Sequence, residues 1–288
     1  MSITLAFPAA SEMILPDLRY RSVFISDTHL GSAACQTGEL AAFLQRLECE
    51  HLYLVGDMVD AWVGGRTTRW KPGQERALVA LLQKASPSCR VYYTPGNHDA
   101  VMRRFIGIQV FSTSVEHSFQ HRTADGRTFL VIHGDTFDKF VTKLKPIAVT
   151  LAIIHEAISR VNWTYNAIAE RTNLPQSDFA RMLKRRIKAM TEKATGFEGL
   201  LTEEARRTGA AGVICGHIHR PEMRQATDGT WYVNTGDWVE NCTFVAERFD
   251  GSLELVYWRD LLLQQPGPEP MVESDSNRSR IGIFSAFR

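Results

Sequence analysis

Val23-Phe24-Ile25-Ser26-Asp27-Thr28-His29 is the stretch on which the fold turns. Three apolar residues run into a polar turn that carries a carboxylate and an imidazole. Four more segments share this design: Leu52-Tyr53-Leu54-Val55-Gly56-Asp57, Val91-Tyr92-Tyr93-Thr94-Pro95-Gly96-Asn97-His98-Asp99, Phe129-Leu130-Val131-Ile132-His133-Gly134-Asp135 and Gly212-Val213-Ile214-Cys215-Gly216-His217-Ile218-His219. Each apolar run reads as a short buried strand. The polar cluster then falls at, or just past, the C-terminal end of its strand. In open α/β sheets that edge is where sites assemble.

Two Asp, one Asn and four His from these segments can converge around metal ions. Mixed imidazole and carboxylate ligands suit Mn²⁺, Fe²⁺ or Zn²⁺ better than Mg²⁺ or Ca²⁺, which prefer oxygen alone. Seven ligands are too many for one tetrahedral ion. They suit two ions about 3.5–4 Å apart that share a bridging carboxylate. Asp27 and His29 are two residues apart, as are His217 and His219, so on an extended chain each pair points the same way.

The order Asp-x-His, Gly-Asp-x-x-Asp, Gly-Asn-His-Asp, His, Gly-His-x-His resembles the calcineurin-like metallophosphoesterase superfamily over roughly residues 21 to 260. The resemblance implies an α/β fold with two facing mixed β-sheets flanked by helices. It implies that Asp27, His29 and His219 hold one metal, that Asn97, His133 and His217 hold the other, and that Asp57 bridges them. His98 matches the catalytic histidine that is not a ligand, and Asp60 the carboxylate that orients it. The cofactor expected is a pair of divalent ions, Mn first, with Fe or Zn as alternatives.

Each cluster alone has a plainer reading. Gly-Asp is a common turn dipeptide. Gly-Asn-His-Asp suits a tight loop in which Gly and Asn supply positive φ. A lone His133 reads as a hydrogen-bonded interior histidine. Chance does not readily place five such clusters at strand ends in family order. His51, His117, His121 and His155 carry no ligand pattern and read as surface or structural residues.

Composition narrows the class. An apolar fraction of 44% is ample for a core, and a net charge of +1 argues against a globally basic nucleic-acid binder. The five cysteines are odd in number and contain no Cys-x-x-Cys, which fits a reduced cytosolic protein. Cys215 reads as a small core residue. No stretch reaches the ~20 apolar residues needed to span a bilayer. Ile3 to Ala10 lacks a basic lead and contains Pro8, so no signal peptide is expected.

The chain divides into an N-terminal arm over 1–20, a metallophosphoesterase core over 21–136 and 206–263, a helical insertion over 137–205, and a disordered tail over 264–288. The tail opens on Gln264-Gln265-Pro266-Gly267-Pro268-Glu269-Pro270, which stops regular structure. Helices are expected over Glu39–Leu47 and Gln74–Lys84, where apolar residues recur at helical spacing. Their alternation with strands predicts βαβ units. Strands at 231–234, 243–246 and 253–257, with Asp-Gly turns at 228–229 and 250–251, are expected to build a second sheet.

The insertion breaks this alternation. It contains the apolar run Ile147 to Ile154 and, from 139 to 193, eleven Lys/Arg against four Asp/Glu. An ordinary helical subdomain would look like this. So would a lid whose greasy helices hold an apolar substrate part and whose cations, Lys184 and Lys188 among the candidates, meet phosphate.

Gly56 to Trp62, the helical insertion, Gly216 to Pro221 and Asn234 to Glu240 together resemble the UDP-2,3-diacylglucosamine hydrolase group. Those bacterial enzymes cleave a pyrophosphate during lipid A synthesis. His98 stands where that group carries Arg, and Gly96-Asn97-His98-Asp99 is the general superfamily form, the mark of a paralogue group. The resemblance implies in-line attack by a metal-bridging hydroxide on a nucleotide-sugar lipid. It also implies a cytoplasmic enzyme in peripheral contact with the inner membrane surface, with no stable nucleic-acid partner.

The rival within enzymes is a phosphodiesterase for soluble nucleotides or nucleic acid. Trp62, Trp70 and Tyr53 could stack a base, although core or rim filling is their plainer use. A protein phosphatase is disfavoured, because Ala61-Trp62 and Asp99 depart from its loops. The rival of another class is a metallophosphoesterase-fold scaffold without catalysis. Such scaffolds usually lose ligands, and here the set is whole.

Overall fold

β1 (Leu18–Ile25) lies inside the larger sheet and feeds the first of the five polar turns. It runs parallel to β2 (Leu47–Val55), which runs parallel to β3 (Arg90–Thr94). Helix α1 (Thr37–Arg46) connects β1 to β2, and α2 (Gln74–Leu82) connects β2 to β3. These are the βαβ units the periodicity predicts. The computed structural model describes residues 18–60, 70, 73–138 and 196–263.

The larger sheet has seven strands. The short β4 (Gln109–Val110) and β5 (Thr113–Val115) extend it beyond β3. On the other side β11 (Thr243–Glu247) pairs antiparallel with β1, and β12 (Leu253–Tyr257) pairs antiparallel with β11. The smaller sheet has the order β6 (Phe119–Arg122), β7 (Thr128–Val131), β8 (Gly212–Cys215), β10 (Trp231–Asn234), β9 (Glu222–Gln225). Its three central strands are parallel and its two edges antiparallel.

This corrects one expectation. The three C-terminal strands do not form a sheet of their own. Only β10 joins the smaller sheet, while β11 and β12 complete the larger one. All five residues of β11 are buried, which suits a strand flanked on both sides within the larger sheet.

Period-two alternation then builds the layers. Phe24, Tyr53, Val55, Phe129, Val131, Ile214, Val233 and Val245 form the cluster between the sheets. Val23, Ile25, Leu52 and Leu54 face the other way, into a core shared with α1 and α2. Helix α3 (Phe197–Arg207) covers the far side of the smaller sheet with Phe197, Leu201 and Ala205. Burial on both faces explains why the strands read as continuous apolar runs. Helix α4 (Trp258–Leu263) is pinned by Trp258, whose Nε1 donates to Glu39 Oε2 at 2.8 Å and whose ring meets Phe43. Removing the Phe43 ring would cost about 3–5 kcal/mol, since it also packs on Trp238 and Phe244.

β1 begins at Leu18, three residues inside the stretch assigned to the N-terminal arm. Helix α3 forms the C-terminal end of the stretch assigned to the insertion. The rest of the insertion, with Lys184, Lys188 and the apolar run, lies outside the described residues, as does the tail. Among the described residues no helix is long and apolar enough to cross a membrane.

Candidate metal centre

The polar turns after β1, β2, β3, β7 and β8 meet at one end of the two sheets. The loops after β1 and β2 stay paired beyond their strands: Asp27 N donates to Gly56 O and His29 N to Asp57 O, both at 3.0 Å. Asp27, His29, Asp57, His217 and His219 all have φ between 47° and 71°. They are five of the seven non-glycine residues with positive φ among those described. Each such residue costs on the order of 1–3 kcal/mol and persists only where its surroundings hold it. These residues are therefore not on extended chain. Left-handed turns aim these side chains, and His217 and His219 diverge into different groups.

Asp27, His29 and His219 form one group, and Asp57, His133 and His217 the other. Within each group the ligand atoms lie within 4.8 Å of one another. In the first, His29 Nε2 and His219 Nε2 face each other at 3.1 Å, and Asp27 Oδ1 lies 3.2 Å from His219 Nε2. In the second, Asp57 Oδ2 lies 3.5 Å from His133 Nε2. Gly96 makes this approach possible, because a Cβ there would overlap Asp57 Oδ1 and crowd His133 Nε2. Gly56 does the same beside the His133 ring and needs its φ of 80° for the turn. Asn97 follows Gly96 and is exposed.

Two buried atoms in these groups, Asp27 Oδ1 and His133 Nε2, have no hydrogen-bond partner. Their neighbours are committed elsewhere. Asp27 Oδ2 accepts from His217 N at 2.9 Å and from Ser26 Oγ. His133 Nδ1 pairs with Val55 O at 2.8 Å, which leaves Nε2 directed inward. Burial pushes the Asp27 carboxyl up, but His219, His133 and Ser26 more than offset it and hold it below the usual range. Burial works against charging His133, yet Asp57 and Asp27 raise it to about 10. The two carboxylates thus call for positive charge where the orphaned atoms point. A divalent cation fits that requirement, and the mixed N and O donors suit the later first-row metals.

Asp60 joins a third group with His29 and His98. It accepts from His29 Nδ1 at 2.8 Å and His98 Nδ1 at 2.7 Å. Because His29 turns its other nitrogen to Asp27 and His219, Asp60 orients a candidate ligand and does not make a separate metal site. Burial raises Asp60, but His29 and His98 draw it below the carboxylate range. The hydrogen bond to Asp60 raises His98 in turn, against burial. The His98 side chain is 42% exposed, open enough to meet a substrate. Its backbone N donates to Asp57 Oδ1 at 2.8 Å.

Three positioning features escaped the sequence reading. Asp99 is fully buried and ties two turns together, accepting from Met58 N at 2.7 Å and Gly96 N at 2.6 Å. Asp138 Oδ2 lies 3.1 Å from His217 Nε2. The loop after β10 anchors both ends of the first group: Trp238 N donates to Asp27 O at 3.1 Å, and Asn241 Nδ2 to His219 O at 3.2 Å. Asp99 and the loop stood in quoted motifs, but only their spatial partners reveal the role. Tyr53 is not placed to stack a base, since it is buried between Phe24 and Tyr92 at 4.6 and 4.5 Å. Trp70 is exposed, and Trp62 lies outside the described residues.

Comparison with known proteins shows the family. The family model described as Calcineurin-like phosphoesterase matches residues 20–221. A UDP-2,3-diacylglucosamine hydrolase from Shewanella piezotolerans is 24% identical over 233 residues, 76% of this chain and 91% of that protein. One from Shewanella baltica is 23% identical over 249 residues, 80% and 95% of the two chains. Among solved structures, Yfce, a phosphoesterase from E. coli, matches with a TM-score of 0.39 and 13% identity over 82% of this chain and 98% of that one.

Proposed function

The chain belongs to the calcineurin-like phosphoesterase family, and from that premise we propose that it hydrolyses the phosphoanhydride of a UDP-diacylglucosamine-like nucleotide-sugar lipid with two divalent ions. It is a phosphoester-hydrolysing enzyme of that family. The observation that carries the two-ion reading is the pair of orphaned buried atoms, Asp27 Oδ1 and His133 Nε2, one in each ligand group. The substrate reading is supported by the relatives named UDP-2,3-diacylglucosamine hydrolase.

Asp27, His29 and His219 would hold one ion, His133, His217 and Asn97 the other, with Asp57 between them. When bound, such ions supply a water that ionises near neutral pH and positive charge for the phosphoryl oxygens. The chain's own residues do the rest. Asp60 orients His98 through Nδ1 and raises its pKa. The free Nε2–H of His98 then donates to a phosphoryl or leaving-group oxygen as negative charge develops there. Lys184 and Lys188 would meet phosphate from the insertion. Such a substrate would bring a cytoplasmic enzyme to the inner membrane surface.

The test compares UDP-2,3-diacylglucosamine, non-acylated UDP-sugars and single-stranded nucleic acid on Mn-reconstituted protein of known metal content. Expected are about two ions per chain and a preference for the acylated substrate. Replacing residues 140–195 by a Gly/Ser linker should spare a small generic phosphodiester and abolish that preference, since each buried methylene contributes roughly 0.8 kcal/mol. If the intact protein shows no preference for acyl chains, the lipid reading fails and a soluble nucleotide replaces it. Metal content that stays at zero defeats the two-ion reading.

A further inference from the structure

A cavity of about 510 Å³ opens at the end of β2 and β3 opposite the metal centre. Cys49, Cys89, Lys84, Arg19, Glu48 and Glu50 are among its lining residues. Cys49 lies near the start of β2, and Cys89 directly precedes β3. They are 40 residues apart in the chain, yet their Sγ atoms lie 3.6 Å from each other. Both are free thiols, Cys89 buried and Cys49 half-buried. Lys84 reaches the same place, where its Nζ donates to Leu47 O.

We propose that Cys49 and Cys89 form a dithiol site that takes up a low-molecular-weight disulfide from this cavity and closes to a reversible intramolecular disulfide. A disulfide needs about 2.05 Å between sulfurs, with the two chains at the spacing neighbouring strands already provide. Closing the remaining gap requires rotation of two small side chains and leaves the strand pairing in place.

The local electrostatics favour the first step. The hydrogen bond from Cys49 and the charge of Lys84 hold the Cys89 thiol below its ordinary range against burial. The same bond, together with burial, pushes Cys49 up, so of the two thiols Cys89 is the one more readily ionised. The other cysteines differ. Burial raises Cys35, takes Cys242 up to about 11 and Cys215 up to about 12. Thiols of that kind are poor nucleophiles at neutral pH.

The steps balance. The Cys89 thiolate attacks one sulfur of the small disulfide and expels one small thiolate, which takes a proton from solvent. Cys49 loses its proton to solvent, attacks the Cys89 sulfur of the mixed disulfide and expels the second small thiolate. Two protein thiols are oxidised to one disulfide, and the small disulfide is reduced to two thiols.

The experiment incubates the reduced full chain with oxidised glutathione and counts thiols. Two of the five should be lost. The mass should fall by two hydrogens, peptide mapping should join Cys49 to Cys89, and dithiothreitol should restore both thiols. Cys49→Ser should stop at a single glutathione adduct on Cys89. An unchanged thiol count, a bridge through any other cysteine, or wild-type protein that stops at the adduct overturns the proposal. The wild-type readouts decide it even if the variant does not fold.

Discussion

Two buried polar clusters join the same pair of sheets, and they are built on opposite plans. Glu247 on β11 accepts from Arg21 at 2.6 Å, from Ala124 N at 2.7 Å, from Ser22 Oγ at 2.5 Å and from His121 Nε2 at 2.8 Å. His121 takes its remaining bond from Tyr53 OH at 2.9 Å. None of these side chains leaves a buried atom unpartnered, and none has positive φ. At the metal centre two buried ligand atoms are orphaned and five residues adopt left-handed backbone. A satisfied network gives its energy to the fold. An unsatisfied and strained one is a site held ready for a charged ligand.

The comparison breaks most sharply at Asp57. Asp57→Ala strips the carboxylate of the group that holds His133 and His217, the one the proposed function puts between the two ions. Activity should fall by more than ~100-fold, since even residues that merely support a ligand cost 10–100-fold. Metal content should fall with it, while circular dichroism stays near that of the unaltered chain. An active Asp57→Ala protein would remove the site from this part of the molecule.

His98→Ala should lower kcat by on the order of 10²–10⁴ with metal content unchanged. Loss of a metal in that variant would make His98 a ligand.

Acid separates the satisfied cluster from the site. Burial raises Glu247, but His121, Ser22 and Ala124 N hold it down at about 2. Its folded pKa is thus depressed, so its stabilisation is present above the ordinary glutamate range and is lost as pH falls toward 2. The contribution is on the order of 3 kcal/mol. Glu247→Gln should flatten the acid limb of the stability curve while activity per folded molecule at neutral pH is retained. A variant with the unaltered acid limb would show that the network does not carry this stability.

The smallest effect is expected at Asp60. Asp60→Asn should cost about 10–100-fold in metal affinity through His29. It should also shift the pH profile that His98 contributes. A variant that changes kcat alone would confine Asp60 to His98.

Much of the site was legible before folding. The strand ends, the residue types and the order of the five clusters stand in local sequence, because a buried strand demands an apolar run and a metal demands N and O donors. The positive φ values were not legible: Asp and His at a strand end carry no mark of a left-handed turn. Nor was the placement of β11 and β12, because Asp-Gly turns specify hairpins without saying which sheet a hairpin joins. Asp60 read as the partner of His98 alone, and its hold on His29 depends on the pairing of two loops in space.

By itself, then, the sequence determined the chemistry of the ligand groups, the βαβ rhythm and the burial of the apolar strand ends that lead into the site. Those follow from residue type and spacing along one segment. Tertiary structure decided that left-handed turns aim the ligands, which carboxylate oxygen is left unpartnered, and that Cys49 meets Cys89 across 40 residues. Such facts depend on contacts between segments distant in the chain, and only the packed sheets set those distances.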